Sequence, residues 1–508
     1  MNPSSSPRDN LVGLFCLLIF ASPLAGATDA PTSDNAAAIL AVTPRTSLPP
    51  EADDPARPQN IRWVKPSSTI RHPYWTDDVG VSDNNGNPYN AYQRSSFGTW
   101  SNFDEAKANL FPLPELLVLK NGQPVKDADD WWEKRRPEIL SDYLTEIYGK
   151  IPERAPAITW EVTLVNESGG VKTKRIVGHI DNSTYPEATP TINLTLAIPV
   201  NASGPVPVMV IIPPFGGGND PNRGAASGAR SAPGGAPSTG ADTERGPGGP
   251  SPLQQVLARG WGYALFDAIS LQPDNNAGLT RGIIGLINQG RPRSRADEWG
   301  ALTAWAWGLS RSIDYLETDK DVDAKQLGVE GHSRWGKTAL WAAALDQRWA
   351  IVYASCSGEG GAKLLRRNYG ETPDNIVDSF PYWMAGNFRK YGGHWSNLPV
   401  DAHELIALVA PRPVFVTGGT QDQQADPHGE FLAAVGAGPV YRLLGKNDLG
   451  TTEMPAPNVA LISGAVAFRE HVGPHTDALD WPVFLEYASK YLQAPAANPK
   501  KQPVAAGR

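Results

Sequence analysis

Two periods of apolar spacing alternate along this chain. Period-two or continuous apolar runs occur at Ile158 to Val165, Lys174 to His179, Ile192 to Ile198 and Val206 to Ile212, and they predict β-strands. Shorter apolar runs at Tyr263 to Phe266, Leu327 to Val329, Ala350 to Ala354, Pro413 to Thr417 and Ala465 to Phe468 predict more strands. Between them the spacing becomes helical. Asp297 to Leu316 puts Trp299, Leu302, Trp305, Ala306, Leu309, Ile313 and Leu316 on one stripe, which reads as core. Leu253 to Arg259, Lys337 to Leu345 and Asp480 to Leu492 also predict helices. So does Asp130 to Tyr148, with Asp130 as its cap and its Arg135-Arg136 pair assigned to a solvated face. Strands alternating with helices predict an α/β fold. Its central sheet is mostly parallel, in a three-layer sandwich and a single large domain.

Composition changes the picture mainly at the ends. Arg8, the apolar run Leu11 to Ala21 and the small residues Ala25-Gly26-Ala27 make residues 1–27 an expected export signal. The run is too short to span a membrane comfortably. Residues 28–58 are expected to be a disordered leader and 59–495 the folded domain, loop-like up to 127. Residues 219–250, rich in Gly, Pro and Ser, read as an inserted loop, and 496–508 as a disordered tail. The expectation is a monomer, secreted or periplasmic, with no membrane partner. The net charge of -8 gives no electrostatic footprint for nucleic acid. Of the two cysteines, Cys16 falls in the signal, so Cys356 would remain alone and no internal disulfide is possible. The sequence has no H-E-x-x-H and no Cys-rich ligand set, so neither a metal nor a cofactor is expected.

The chemistry concentrates at Gly331-His332-Ser333-Arg334-Trp335-Gly336, between a predicted strand and a predicted helix. A Ser at the tip of such a turn is lifted clear of the sheet, with a helix N-terminus behind it. In the usual G-x-S-x-G elbow the second Gly follows one residue after the Ser's neighbour; here it comes one place late. A Ser hydroxyl needs a His to take its proton and a carboxylate to fix that His. In this fold class the order along the chain is Ser, acid, His, so of the eight histidines only those from His394 onward qualify. His475, in the Gly/Pro loop after the last strand, is the expected base. His471 sits on the strand side, and His403 starts a helix and reads as structural. Three carboxylates compete as the acid: Asp422, on the loop after the penultimate strand, then Asp426, then Glu359. The Gly-rich stretch after Pro213 is a candidate oxyanion loop.

At these residues the chain resembles the glucuronoyl esterases of carbohydrate esterase family 15, over roughly residues 105–490. The resemblance rests on Gly331 to Leu340 with its late glycine, and on Arg295-Ala296-Asp297-Glu298-Trp299-Gly300. It rests also on Tyr369-Gly370-Glu371-Thr372, Phe380-Pro381-Tyr382-Trp383 and Ala410-Pro411-Arg412-Pro413. It implies an α/β-hydrolase fold and cleavage of the ester between a (4-O-methyl-)glucuronic acid branch of xylan and a lignin alcohol. Ser333 would be the nucleophile, His475 the base and Arg334 the oxyanion holder. Lys337 and Glu371 would bind the sugar. The chain departs from the fungal pattern at Cys356, where those members place the catalytic Glu; bacterial members resemble it in offering an Asp where Asp422 stands. It departs again at Gln423-Gln424, where members often carry a Trp, which makes Gln424 the expected sugar contact. The alternatives are an acetyl-xylan or feruloyl esterase, or a non-catalytic carbohydrate-binding protein on a hydrolase fold.

Overall fold

The computed structural model describes residues 100–213, apart from 109, and 250–496, with short strands just before them. Residues 1–79, 214–249 and 497–508, which hold the expected export signal, the expected leader and nearly all of the expected tail, fall outside these. Two short antiparallel ribbons come first, β1 (Gly80–Ser82) with β2 (Pro88–Asn90), and β3 (Tyr92–Arg94) with β4 (Trp100–Asn102). The main sheet has ten strands. They are β5 (Ile158–Ser168), β6 (Val171–Ile180), β7 (Thr191–Pro199), β8 (Val206–Ile212), β9 (Gly262–Asp267), β10 (Val322–His332), β11 (Ile351–Ser355), β12 (Val414–Gly419), β13 (Ala460–Leu461) and β14 (Val466–His471). Their spatial order is β13-β14-β12-β11-β10-β8-β9-β7-β6-β5. From β14 to β9 every neighbouring pair is parallel; β7, β6, β5 and β13 are antiparallel additions at the edges.

The pattern of apolar residues explains the layers. In β8 all seven residues are buried, as a strand covered on both faces requires. Alternate residues then part company. Val208, Val210 and Ile212 join one core cluster with the helix Ala301–Leu316, while Met209 and Ile211 join a second with Trp481, Phe484 and Leu485. Period two thus sorts one strand between two helical layers. At the far edge β5 is mostly exposed.

Three local expectations need correction. The helical stretch near residue 130 starts at Ala128 with Asp127 as its cap, whose carboxylate accepts from the Asp130 N–H; Asp130 lies inside it. Arg135 and Arg136 are not solvated. Both are buried: Arg135 donates to Glu404 Oε1 at 2.7 Å and to the carbonyls of Glu115 and Leu116, and Arg136 donates to the Ala344 carbonyl at 2.7 Å. Side chains cannot be assigned to solvent from charge alone when partners far away in sequence satisfy them. The long Trp-rich helix begins at Ala301, because residues 297–300 go into a turn that docks beside Tyr148 and Trp383.

The site is set by topology. Strand order reverses between β8 and β10, and open α/β sheets bind ligands at the carboxyl ends of strands near such a switch. The neighbouring strands β10, β11, β12 and β14 release Ser333, Cys356, the 420–422 loop and the 472–475 loop at that end.

Candidate active site

Ser333 sits between β10 and the helix Arg334–Leu345 with φ 60° and ψ -127°, a strained conformation for a residue with a side chain. Its N–H donates to the Ser355 carbonyl of the neighbouring strand end at 2.8 Å. The two glycines explain the late spacing. A Cβ on Gly331 would lie 2.1 Å from the Trp335 carbonyl oxygen, and one on Gly336 would lie 2.9 Å from the Ser355 carbonyl oxygen. It is residue 336, not 335, that passes against the next strand. Trp335 instead packs edge-on against Trp305, centroids 4.7 Å apart.

Opposite this elbow, Asp422 Oδ2 lies 2.6 Å from His475 Nδ1. Asp422 is buried, while His475 is exposed at the rim. The loops carrying them are laced together. The Thr420 N–H donates to the His471 carbonyl at 2.9 Å, Gln421 N–H to the Gly473 carbonyl at 2.9 Å, and Gly473 N–H to Thr420 Oγ1 at 3.2 Å. His471 is not a rival base. Its Nδ1 meets Asp480 Oδ2 at 2.7 Å and its Nε2 meets the Pro474 carbonyl at 2.8 Å, so both nitrogens serve to hold the His475 loop. Burial pulls its imidazole down, but the hydrogen bond and charge of Asp480 and the Pro474 carbonyl outweigh that and leave it above its ordinary value. His332, whose ring lies 4.3 Å from that of His475, is held well below its ordinary value by burial and then by the two neighbouring histidines, so it is neutral.

The other acid candidates lie elsewhere. Asp426 is buried, caps the helix Pro427–Leu443 and pairs with Arg367. Glu359 is buried and pairs with Lys363 at 2.7 Å. His403 is buried at the start of its helix, 3.1 Å from the Pro114 carbonyl.

Ser333, Arg334, Lys337, Glu371, Asp422, Gln424 and His475 open together onto one cleft of about 420 Å³. Cys356, Gly358, Trp383 and Gln421 also line it. Lys337, one helical turn after Ser333, donates from Nζ to the Ser357 carbonyl at 2.5 Å and lies 3.3 Å from Glu371 Oε2. Trp383 presents a ring beside both cations: Arg334 Cζ is 5.2 Å and Lys337 Nζ 5.8 Å from its centroid. Trp383 entered the sequence analysis only as part of a motif; it lines the cleft as a buried wall, with Phe380 stacked on its ring at 3.9 Å.

One residue was missed altogether. Asp274 pairs with the Arg334 guanidinium, and its other oxygen accepts from Tyr382 Oη at 3.0 Å and Trp383 Nε1 at 2.8 Å. It fixes a cation beside the Ser. Its loop carries no sequence signal, because its partners come from two distant segments. Cys356, where the resemblance implies a carboxylate in fungal members, lies beside the His475–Asp422 pair. Its N–H donates to the Thr417 carbonyl at 2.6 Å, and burial, followed by nearby carboxylates, pushes its thiol well above the ordinary value.

A Ser on a strand-to-helix elbow, with a His and an Asp supplied by loops after later strands of the same parallel sheet, defines the α/β-hydrolase class. The comparisons narrow this. The fungal glucuronyl esterase family model matches residues 294–445. A carbohydrate esterase from an unknown prokaryotic organism is 35% identical over 421 residues, covering 77% of this chain and 92% of its own. A glucuronoyl esterase structure from Teredinibacter turnerae superposes with a TM-score of 0.68 at 36% identity, over 82% of this chain and 96% of that one. One from Solibacter usitatus gives 0.67 at 38% identity, over 76% and 99%. The chain belongs to carbohydrate esterase family 15, the glucuronoyl esterases, and is a carboxylic ester hydrolase. Among the described residues no helix is long and apolar enough to cross a membrane.

Proposed function

We propose that this chain is an exported serine esterase that cleaves the ester joining a (4-O-methyl-)glucuronic acid branch of xylan to a lignin alcohol. The observation that carries the reading is the His475–Asp422 hydrogen bond, at 2.6 Å, facing the cleft that Ser333 also lines. Asp422 keeps the proton of His475 on Nδ1, which leaves Nε2 free to accept the Ser333 proton. Ser333 Oγ attacks the uronate carbonyl, and Arg334, anchored by Asp274, offsets the charge that develops on oxygen. His475 returns its proton to the departing alcohol, and water releases the acyl group by the same steps. Lys337, Glu371 and Gln424 meet the sugar hydroxyls, and Trp383 backs the cleft beside Arg334 and Lys337. The export signal at residues 1–27 puts the enzyme where such a substrate is found.

The test is hydrolysis of benzyl glucuronate and of methyl glucuronate, beside acetyl-xylan and a feruloyl ester, by wild type and Ser333→Ala. Cleavage of the glucuronates that is lost in the variant supports the proposal. Cleavage of only acetyl or feruloyl esters refutes the substrate. No cleavage, together with no labelling of Ser333 by a phosphonate, leaves a carbohydrate-binding protein.

A further inference from the structure

Cys356 Sγ, a carboxylate oxygen of Asp422 and a ring nitrogen of His475 all lie within 4.8 Å of one another. They come from three loops, after β11, β12 and β14, and they meet only in the folded chain. Thiolate, carboxylate and imidazole are the donors that zinc and its softer relatives take. We propose that these three side chains form an inhibitory binding site for a thiophilic divalent cation such as Zn2+ or Cd2+. The inhibitory consequence, though not the binding, rests on the triad reading above.

Zinc bonds of about 2.0–2.3 Å set tetrahedral donors roughly 3.3–3.8 Å apart. A spread of 4.8 Å therefore closes with shifts of about 1 Å. His475 can supply these, since it is exposed and follows Gly473-Pro474. Cys356 is held more firmly by its backbone bond to Thr417, while its sulfur makes a long contact, 3.7 Å, with the Thr476 carbonyl. The charges also balance, because a dication on one thiolate and one carboxylate is neutral, and a neutral centre is cheaper to bury than the parts. The three donors line the cleft, from which a water can supply the fourth ligand.

Binding carries its own mechanism of inhibition. The cation displaces the thiol proton of Cys356 to solvent and takes His475 Nδ1. The Nδ1 proton moves to Nε2, so no proton is lost from the ring. Nε2 then carries a proton and cannot accept the one from Ser333, and Asp422 no longer orients the ring.

The test uses the full chain with Cys16→Ser, so that the only thiol is Cys356, titrated with CdCl2 and with ZnCl2 alone. The expected result is a thiolate-to-Cd2+ charge-transfer band that saturates at one equivalent. Glucuronate ester hydrolysis falls in parallel and returns with EDTA. Cys356→Ser removes the band and raises the half-inhibitory Zn2+ concentration by about 100-fold, since losing even an outer partner of a metal ligand costs roughly 10–100-fold. Asp422→Asn keeps the thiol and weakens Cd2+ binding about tenfold or more. Absence of the band overturns the proposal. So does Cd2+ affinity unchanged in Asp422→Asn, which would mean a lone reactive thiol, or Zn2+ inhibition as strong in Cys356→Ser as in the parent. If the parent hydrolyses nothing, the catalytic reading fails, and the Cd2+ titration still decides the site.

Discussion

Replacing Asp422 with Asn gives the sharpest test of how the site works. The amide has nearly the shape of the carboxylate, so the loop bonds around residues 420–422 survive. What changes is the partner of His475 Nδ1, 2.6 Å away. An amide NH2 turned toward Nδ1 makes that nitrogen an acceptor and moves the ring proton to Nε2. The base is then blocked at the atom that must take the Ser333 proton. In a Ser-His-Asp triad this change costs about 10⁴ in kcat, which is about 5.5 kcal/mol at 1.36 kcal/mol per decade. Neither rival carboxylate compensates, because Asp426 is tied to Arg367 and Glu359 to Lys363, and the Cys356 thiol beside the pair cannot replace a carboxylate. The assay is kcat and KM on benzyl glucuronate, with thermal unfolding as a check on folding. A variant that keeps more than about a tenth of wild-type kcat refutes the assignment of Asp422 and the tautomer argument with it.

Asp426→Asn should do the reverse: Arg367 keeps Glu105 but loses the Asp426 carboxylate, so stability falls by about 1.5–3 kcal/mol while kcat of the folded fraction holds, as chemical denaturation and active-site titration would show. Arg334→Ala should lower kcat by about 10²–10³ with a smaller effect on KM, and Asp274→Asn should lower kcat in the same direction but less, since Arg334 keeps its charge and loses its anchor. Trp383→Ala should also lower kcat on a glucuronate ester, by about tenfold, because it takes from Asp274 the Nε1–H bond that helps to anchor Arg334. His471 is raised above its ordinary value when folded, so its stabilising contribution is full below about pH 6.5 and is lost as pH rises through the folded value. The gap in melting temperature between wild type and His471→Asn should therefore be wider at about pH 5.5 than at about pH 9, and an equal or reversed gap would refute the Asp480–imidazolium clamp.

The sequence determined the parts whose signals are local. Continuous apolar runs such as Val206–Ile212 mark strands buried on both faces, because a parallel sheet between helices leaves them no wet side. The glycines around Ser333 mark a turn too crowded for side chains, and chain order together with loop position pointed to His475 among eight histidines. The missed helix start at Ala301 and the buried Arg135-Arg136 pair share one cause: residues distant in sequence, Trp383 and Tyr148 in one case and Glu404 and Ala344 in the other, compete with the local pattern and win.

The sequence ranked Asp422 ahead of Asp426 and Glu359, and only the tertiary structure shows which of the three meets His475. All three are loop carboxylates after or near sheet strands, and position on a loop orders them without showing which one reaches the imidazole. The register of β12 against β14 brings Gly419 beside His471, and this delivers Asp422 to His475 while Asp426 turns away to cap a helix. The same is true of Asp274 on Arg334 and of Cys356 beside the His–Asp pair. A hydrogen bond or a ligand set needs atoms within a few ångströms, and spacing along the chain carries that information only within one element. Between elements, the packing of the sheet decides.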